Sequence, residues 1–362
     1  MAVSRINEAG LNVNQYGNRN LIINGAMEVA QRGTAAHNEG SGYFSLDRWY
    51  QQKANQDQFT YSVEQVSDGP SGFSKCLRVT TSTAETALAS DEYGRIYQAI
   101  EGQNLTRVGF GTADAKPLTV SFYVKSSITG NFSCSFYIND ANVIYSQAYT
   151  INAANTWEYK TITFPAYTTA GPNLDNTQGA ILNFGLFAGS GINTATTNWT
   201  SYSTTYLLGG QTANLAATLN DSWRITGVQL EVGDTATDFE HRTFADELQR
   251  CLRYFYSCGD GSSHPYQSFA YGSATAASGV ETLLEFPVIM RTIPSITQVG
   301  NVHIGNGVVG HTFTGIALST NQSGTKRATI TLSGASGMTQ FRAYRVEANN
   351  DATARLQFSA EL

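Results

Sequence analysis

The chain has 362 residues, with 22 Lys and Arg against 28 Asp and Glu, and only 14% of its residues are charged. The formal charge of −6 argues against a basic, phosphate-coating nucleic-acid binder. A hydrophobic share of 41% argues against a chain disordered by composition, and no apolar run is long enough to predict membrane insertion.

The first 20 residues, MAVSRINEAGLNVNQYGNRN, are polar and Asn-rich. They contain no apolar stretch of the signal-peptide kind, so the expectation is synthesis in a cytoplasm without a secretory signal. They read either as an attachment segment or as a frayed terminus. Further on, strict alternation dominates. Phe59, Tyr61 and Val63 share one face of FTYSVEQV. Leu118, Val120, Phe122 and Val124 share one face of PLTVSFYVK, with Thr119, Ser121, Tyr123 and Lys125 on the other. Phe132, Cys134, Phe136 and Ile138 alternate in FSCSFYI, and Leu182, Phe184 and Leu186 in ILNFGLF. Period two with one wet face predicts antiparallel strands. The Gly, Asn, Ser and Asp clusters between the runs predict turns. Together they predict a sandwich or jelly roll.

One stretch has another period. From Asp238 to Tyr256, residues Phe244, Leu248, Cys251, Leu252 and Phe255 fall at helical spacing, and Thr243 with Asp246 resembles a capping box. A short helix is marginal alone in water, so its stripe must pack on something. Its own chain and the same helix in neighbouring subunits are both open. Cys251 and Cys258 are seven residues apart, about 10 Å on a helix, too far for a disulfide, and all four cysteines are expected as thiols. After the Gly/Ser loop SCGDGSSHPYQ a second β-rich segment begins. VETLLEFPVIM alternates Leu284, Phe286 and Val288, with Pro287 suggesting an edge strand. ARLQFSAEL alternates Leu356, Phe358, Ala360 and Leu362. No repeat of 20–50 residues appears, which argues against a β-helix solenoid.

Catalytic signatures are missing. The sequence has no HExxH, no GxSxG and no EF-hand loop, and GFGTAD lacks the third glycine of a dinucleotide loop. Asp91 and Glu92 are adjacent, so on a strand they point to opposite faces and make a poor acid–base pair. Sugar binding needs an aromatic platform beside hydrogen-bonding groups. Trp199, Tyr202 and Tyr206 lie in the polar stretch INTATTNWTSYSTTY and form one candidate platform, although Trp199 also suits plain packing. In the second β-rich segment Tyr266 and Tyr271 flank a Gly/Ser loop and form another. No cofactor is expected. A structural calcium held by Asp221, Glu231 and Glu28 is the one metal to consider.

The segments NLIINGAMEVAQRG (20–33), SLDRWY (45–50) and WRITGVQLEVGDTATDFEHRTFADELQRCLRYF (223–255) resemble a recurrent set in tail-fibre and receptor-binding proteins of tailed bacteriophages. FPVIMRTIPSI (286–296) resembles the start of a smaller distal domain in that family. The resemblance implies a carbohydrate-binding-module-like jelly roll and a virion surface component at the tail. It also implies a homo-oligomer, with three copies expected from the family. Its partners would be other tail proteins, through the N-terminus, and host surface polysaccharide or lipopolysaccharide. The expected fold is all-β: an attachment segment over 1–20, a jelly-roll β-sandwich over 21–238, a connecting helix over 239–258, and a smaller β-sandwich over 259–362 as the candidate receptor-binding tip. Phe244, Leu248, Leu252 and Phe255 are the expected oligomer contacts. The expected function is adhesion without catalysis. The alternatives are a capsid decoration or baseplate protein and, less favoured, a polysaccharide depolymerase.

Overall fold

A computed structural model describes residues 18–37, 40–55, 58–259 and 264–362. Most of the expected attachment segment therefore lies outside the described residues. The chain divides into two compact units, one running to Glu247 and including Leu362, the other Leu248–Glu361.

The first unit carries β1 (Ala35–His37), β2 (Tyr50–Ala54), β3 (Thr60–Val66), β4 (Cys76–Thr83), β5 (Tyr93–Glu101) and β6 (Leu118–Ser126). It continues with β7 (Gly130–Ile138), β8 (Val143–Ile151), β9 (Glu158–Phe164), β10 (Gln178–Ala188), β11 (Thr200–Ser201) and β12 (Ser222–Val232). These form two six-stranded antiparallel sheets. The first has the order β1-β3-β4-β12-β6-β9 and the second β11-β8-β7-β10-β5-β2. The alternation read from the sequence meets between them. Val120, Phe122, Val124, Phe132, Phe136, Leu182, Phe184 and Leu186 have no accessible surface. Aromatic rings link strands across this core: Phe122 lies 5.0 Å from Phe184 edge-on, and Phe184 lies 6.3 Å from Trp223. The fold is the expected all-β sandwich.

The resemblance-bearing segments converge in space. Asn20 donates through Nδ2 to the Val228 carbonyl at 3.1 Å, and its Oδ1 accepts from Leu230 N at 3.0 Å. Asn24 is fully buried. Its Nδ2 donates to the carbonyls of Val29 (2.8 Å) and Asp47 (3.0 Å), and its Oδ1 accepts from Val29 N. The Asn24 N–H donates to Glu247 Oε1, and Trp49 Nε1 donates to the Asn24 carbonyl. Arg242 bonds the carbonyls of Asn20 and Ile22 and pairs with Glu240 and Glu247 at 3.3 and 3.4 Å. Buried polar groups are stable only when satisfied, so these residues specify the closure of the first unit. Gly25 belongs here too, because a Cβ on it would sit 2.1 Å from the Val228 carbonyl oxygen.

The helix α1 (Phe244–Leu252) is shorter than expected. Thr243 caps it: Asp246 N donates to Thr243 Oγ1 at 3.2 Å, and that hydroxyl donates to the Asp246 carboxylate at 2.7 Å. Phe255 is not helical. It opens β13 (Phe255–Cys258), which pairs with β22 (Arg355–Ser359) at the far end of the sequence. Helical spacing at Phe255 is thus overridden by a long-range strand partner.

The second unit holds β13, β14 (Ser268–Ala276), β15 (Gly279–Glu285), β16 (Ser295–Val299), β17 (Val302–Gly305) and β18 (Gly310–His311). It continues with β19 (Gly315–Leu318), β20 (Arg327–Ser333), β21 (Ala343–Ala348) and β22. A seven-stranded sheet, β18-β17-β21-β14-β15-β20-β19, accompanies a three-stranded one, β13-β22-β16. Its core includes Ile304, Ile330, Val346, Leu356 and Phe358. Pro287 does not mark an edge: β15 is an interior strand that ends at Glu285, before the proline is reached.

Candidate functional site

The outer face of the first sheet carries a cleft of about 430 Å³. It is built where β12 departs from regular pairing. The register of β12 with β6 slips between Thr226 and Gln229, and Gly227 takes a φ of +61°. A Cβ at Gly227 would lie 2.7 Å from the Phe73 ring and 3.1 Å from Tyr123, so the bulge leaves a floor that only glycine keeps open.

Two loops wall the cleft. One begins at Asp68, which is held by Lys125 Nζ at 2.7 Å and Arg224 Nε at 3.2 Å. A turn from Pro70 then brings Phe73 over the sheet. The second loop follows β12. Buried Gln229 donates to the carbonyl of Asp238 at 3.2 Å and accepts from Glu240 N at 2.7 Å. Buried Glu231 accepts from the N–H and hydroxyl of Thr237 at 2.8 and 2.6 Å. These bonds present Asp238, Phe239 and His241 to the cleft.

The lining is aromatic with a polar fringe. Phe73 lies 5.0 Å from Phe239, 5.2 Å from His241 and 5.4 Å from Tyr123, and Tyr123 lies 5.0 Å from Tyr159. Tyr159 is 48% exposed. Burial of its hydroxyl end raises the phenol pKa, against a hydrogen bond with Ser121 that lowers it. Ser121, Thr237 and Asp238 supply hydroxyl and carboxylate groups at the same cleft. Aromatic walls with a few fixed polar groups are the usual make-up of a small-ligand pocket. The legible signal for this site was Tyr123, an aromatic ring on the wet face of its strand. The loop residues gave no local signal.

The expected platforms are placed elsewhere. Trp199 turns inward: its Nε1 donates to the Pro165 carbonyl at 2.9 Å, and its ring lies 5.5 Å from Tyr167, 5.7 Å from Tyr145 and 6.1 Å from Phe110. Tyr202 and Tyr206 pack instead in a small cluster with Ile144, Ile192, Leu207 and Leu208, where Tyr202 meets Tyr137 at 4.7 Å. In the second unit Tyr266 and Tyr271 are 61% and 66% exposed. Tyr271 pairs with Leu283 and Arg345 in register, and Leu283 is itself half exposed. On the helix Phe244 is 57% exposed, Leu248 and Leu252 are half-buried, and Phe255 is buried on its strand.

The candidate calcium ligands do not converge. Asp221 accepts from Ser127, Glu231 from Thr237, and Glu28 from Ser74. Among the described residues no group of three or more His, Cys, Asp or Glu side chains is placed to hold a metal. Asp221, Glu231 and Glu28 therefore do not form a common calcium site. The acids near β5 are also separated in role: Glu92 accepts from Ala89 N, Glu101 from Gln103, and Asp91 from Asn55. The four cysteines are free thiols. No helix among the described residues is long and apolar enough to cross a membrane.

No protein-family model matches the chain, and no curated protein matches it. Among solved structures, the chain is similar to the enzymatically active domain of bacteriophage CBA120 tailspike protein 4, at 13% identity and a TM-score of 0.32. That alignment covers 59% of this chain and 21% of the tailspike chain, so it spans about a fifth of the tailspike's length. It is also similar to TmCBM61 in complex with β-1,4-galactotriose (10% identity, TM-score 0.29, 59% of this chain and 99% of that one). A third similarity is to the family 11 carbohydrate-binding module of the cellulosomal cellulase Lic26A-Cel5E of Clostridium thermocellum (12% identity, TM-score 0.28, 57% of this chain and 100% of that one).

Proposed function

We propose that the chain is a glycan-binding adhesion protein and that the cleft of Phe73, Tyr123, Tyr159, Phe239 and His241 seats a sugar. The observation that carries this reading is the half-exposed aromatic wall set beside Asp238, Thr237 and Ser121 on a glycine floor. Ring faces suit the C–H surface of a sugar, and the carboxylate and hydroxyls suit its hydroxyl groups. In its finer form the proposal is a tail fibre of a tailed bacteriophage, assembled as a homo-oligomer and joined to other tail proteins through the N-terminal segment. It would adhere without catalysis to host polysaccharide or lipopolysaccharide, with several weak sites multiplied by effective concentration. Support comes from the resemblance-bearing segments, since the stretch that supplies Glu240, Arg242 and Glu247 to the closure also supplies the cleft wall at 236–241.

The test is binding of the intact chain to an array of neutral oligosaccharides, followed by titration of the best probe. Tyr159→Ala should weaken that probe roughly tenfold, the worth of one stacked ring. Unchanged affinity would refute the cleft. Release of reducing ends from host polysaccharide would replace adhesion by depolymerisation, and antibody labelling at the head would replace the tail by the capsid.

A further inference from the structure

Strand β5 places Tyr93, Arg95 and Tyr97 on the face turned away from the core residues Ile96 and Ile100. Register sets their neighbours: Gln52 of β2 lies opposite Arg95, and Tyr50 and Asn183 lie on either side of Tyr97. Arg95 is only 8% exposed. Its Nε donates to Gln52 Oε1 at 2.7 Å and its Nη1 to Asn183 Oδ1 at 2.5 Å. The guanidinium lies 4.6 Å from the Tyr97 ring centroid and 5.8 Å from that of Tyr93. Tyr50 stacks on Tyr97 at 4.7 Å, and both rings are half-buried.

Among the described residues no carboxylate answers this cation. Three other arginines of the unit have carboxylates: Arg78 has Glu64, Arg224 has Asp68, and Arg242 has Glu240 and Glu247, whereas Arg107 donates to the carbonyls of Asn18 and Arg19. Among the described residues Arg95 has no carboxylate partner, and both of its hydrogen-bond acceptors are neutral amides. Its Nη2 donates to no described residue, and the side chain keeps a small exposed fraction. Burying a guanidinium without a counter-charge is costly, and a bidentate carboxylate from outside would offset that cost. Burial lowers the Arg95 pKa, opposed only by the phenols of Tyr93, Tyr97, Tyr202 and Tyr50, in keeping with the missing carboxylate.

We propose that Arg95 anchors a second saccharide site, on the opposite sheet from the aromatic cleft, selective for the carboxylate of an acidic sugar. The free edge of the guanidinium takes the carboxylate, Gln52 and Asn183 hold the fork in place, and the stacked Tyr50 and Tyr97 flank the sugar ring. The site is independent of the cleft and stands whether or not the cleft binds neutral sugar.

The experiment titrates the intact chain with tetragalacturonate, tetramannuronate and sialyllactose. The controls are their neutral counterparts, namely the methyl esters of all three, with inorganic phosphate as competitor. At least one carboxylated probe should bind roughly tenfold tighter than its neutral counterpart, as expected for a charge-assisted pair. Arg95→Met should erase that difference while Tyr159→Ala leaves it intact. Arg95→Lys keeps the charge but loses the fork, and it should also weaken the carboxylated probe, which covers the case in which the methionine variant does not fold. The proposal is overturned if no carboxylated probe outbinds its neutral counterpart. It is likewise overturned if Arg95→Lys binds as the parent does, or if phosphate is bound in preference to every carboxylated probe. Loss of neutral-sugar binding in Tyr159→Ala reads the cleft separately, so the two sites fail or survive on different measurements.

Discussion

Replacement of Asn24 tests whether the segments that resemble the phage proteins close the first unit. The side chain is fully buried and makes three hydrogen bonds, two through Nδ2 and one through Oδ1. Asn24→Ala leaves the Val29 N–H without its acceptor, at a cost of about 1–3 kcal/mol. The backbone adds a second cost. Asn24 has a φ of +58°, a conformation that asparagine accepts more readily than alanine, which adds about 1 kcal/mol. The expected loss is about 3 kcal/mol, or roughly 6–12 °C in Tm for a unit of this size. All four tryptophans (Trp49, Trp157, Trp199 and Trp223) belong to the first unit, so indole fluorescence follows that unit alone. Asn24→Asp sharpens the argument. It keeps the shape but turns the Nδ2 donors into an anionic oxygen facing two carbonyls, with the Glu247 carboxylate accepting from the same residue's N–H. It should destabilise more than alanine at neutral pH. Its native carboxyl would be raised above the unfolded value, so the native state binds more protons and the deficit shrinks as pH falls. A loss under about 0.5 kcal/mol for alanine, within the range of an ordinary surface change, would refute the reasoning. So would an aspartate variant as stable as the parent.

Two further outcomes follow from the geometry. Burial, reinforced by Asp68, pushes the Cys76 thiol up to about 11. The unfolded thiol then loses its proton first, so stability is full below about pH 9 and falls by about 1.4 kcal/mol per pH unit until the native thiol titrates. Cys76→Ala should flatten that alkaline slope in denaturant titrations, and an unchanged slope would place its origin in the buried phenols. The exposed Phe244 ring offers a contact for a second copy. On the oligomer reading Phe244→Asp lowers the native mass measured by light scattering to that of one chain, and an unchanged multimer would exclude this contact.

Local periodicity carried much of the fold. Leu118, Val120, Phe122 and Val124, and Phe132, Cys134, Phe136 and Ile138, are buried as period two predicts, but the expected wet face is largely covered too, with Thr119, Ser121, Ser133 and Ser135 also buried. Thr243 was legible as a cap, since capping acts over three residues. What failed was set by distant partners. Phe255 has helical spacing but pairs with Ser359, and Trp199 lies in a polar stretch whose ring returns to the core. The cleft draws on loops near residues 72 and 239 and on strands β6, β9 and β12, and only the stray aromatic Tyr123 hinted at it. Arg95 was legible as a charge, but its lack of a counter-charge depends on strands β2 and β10, which no local pattern reveals.

The position of β12 governs how the first unit can be made. It is the last long strand of that unit in sequence, yet it lies between β4 and β6 in the middle of the first sheet. On a ribosome, β4 and β6 emerge long before the strand that joins them, and each holds an unpaired inner edge while synthesis continues. The residues after β12 then lock the entry segment near Asn20, a closure between positions more than two hundred residues apart. Such a topology has high contact order and should fold late, in one concerted step. The waiting slot is also a hazard, because where several copies are made together a neighbour's β12 could fill it, so prompt completion of each chain protects correct assembly.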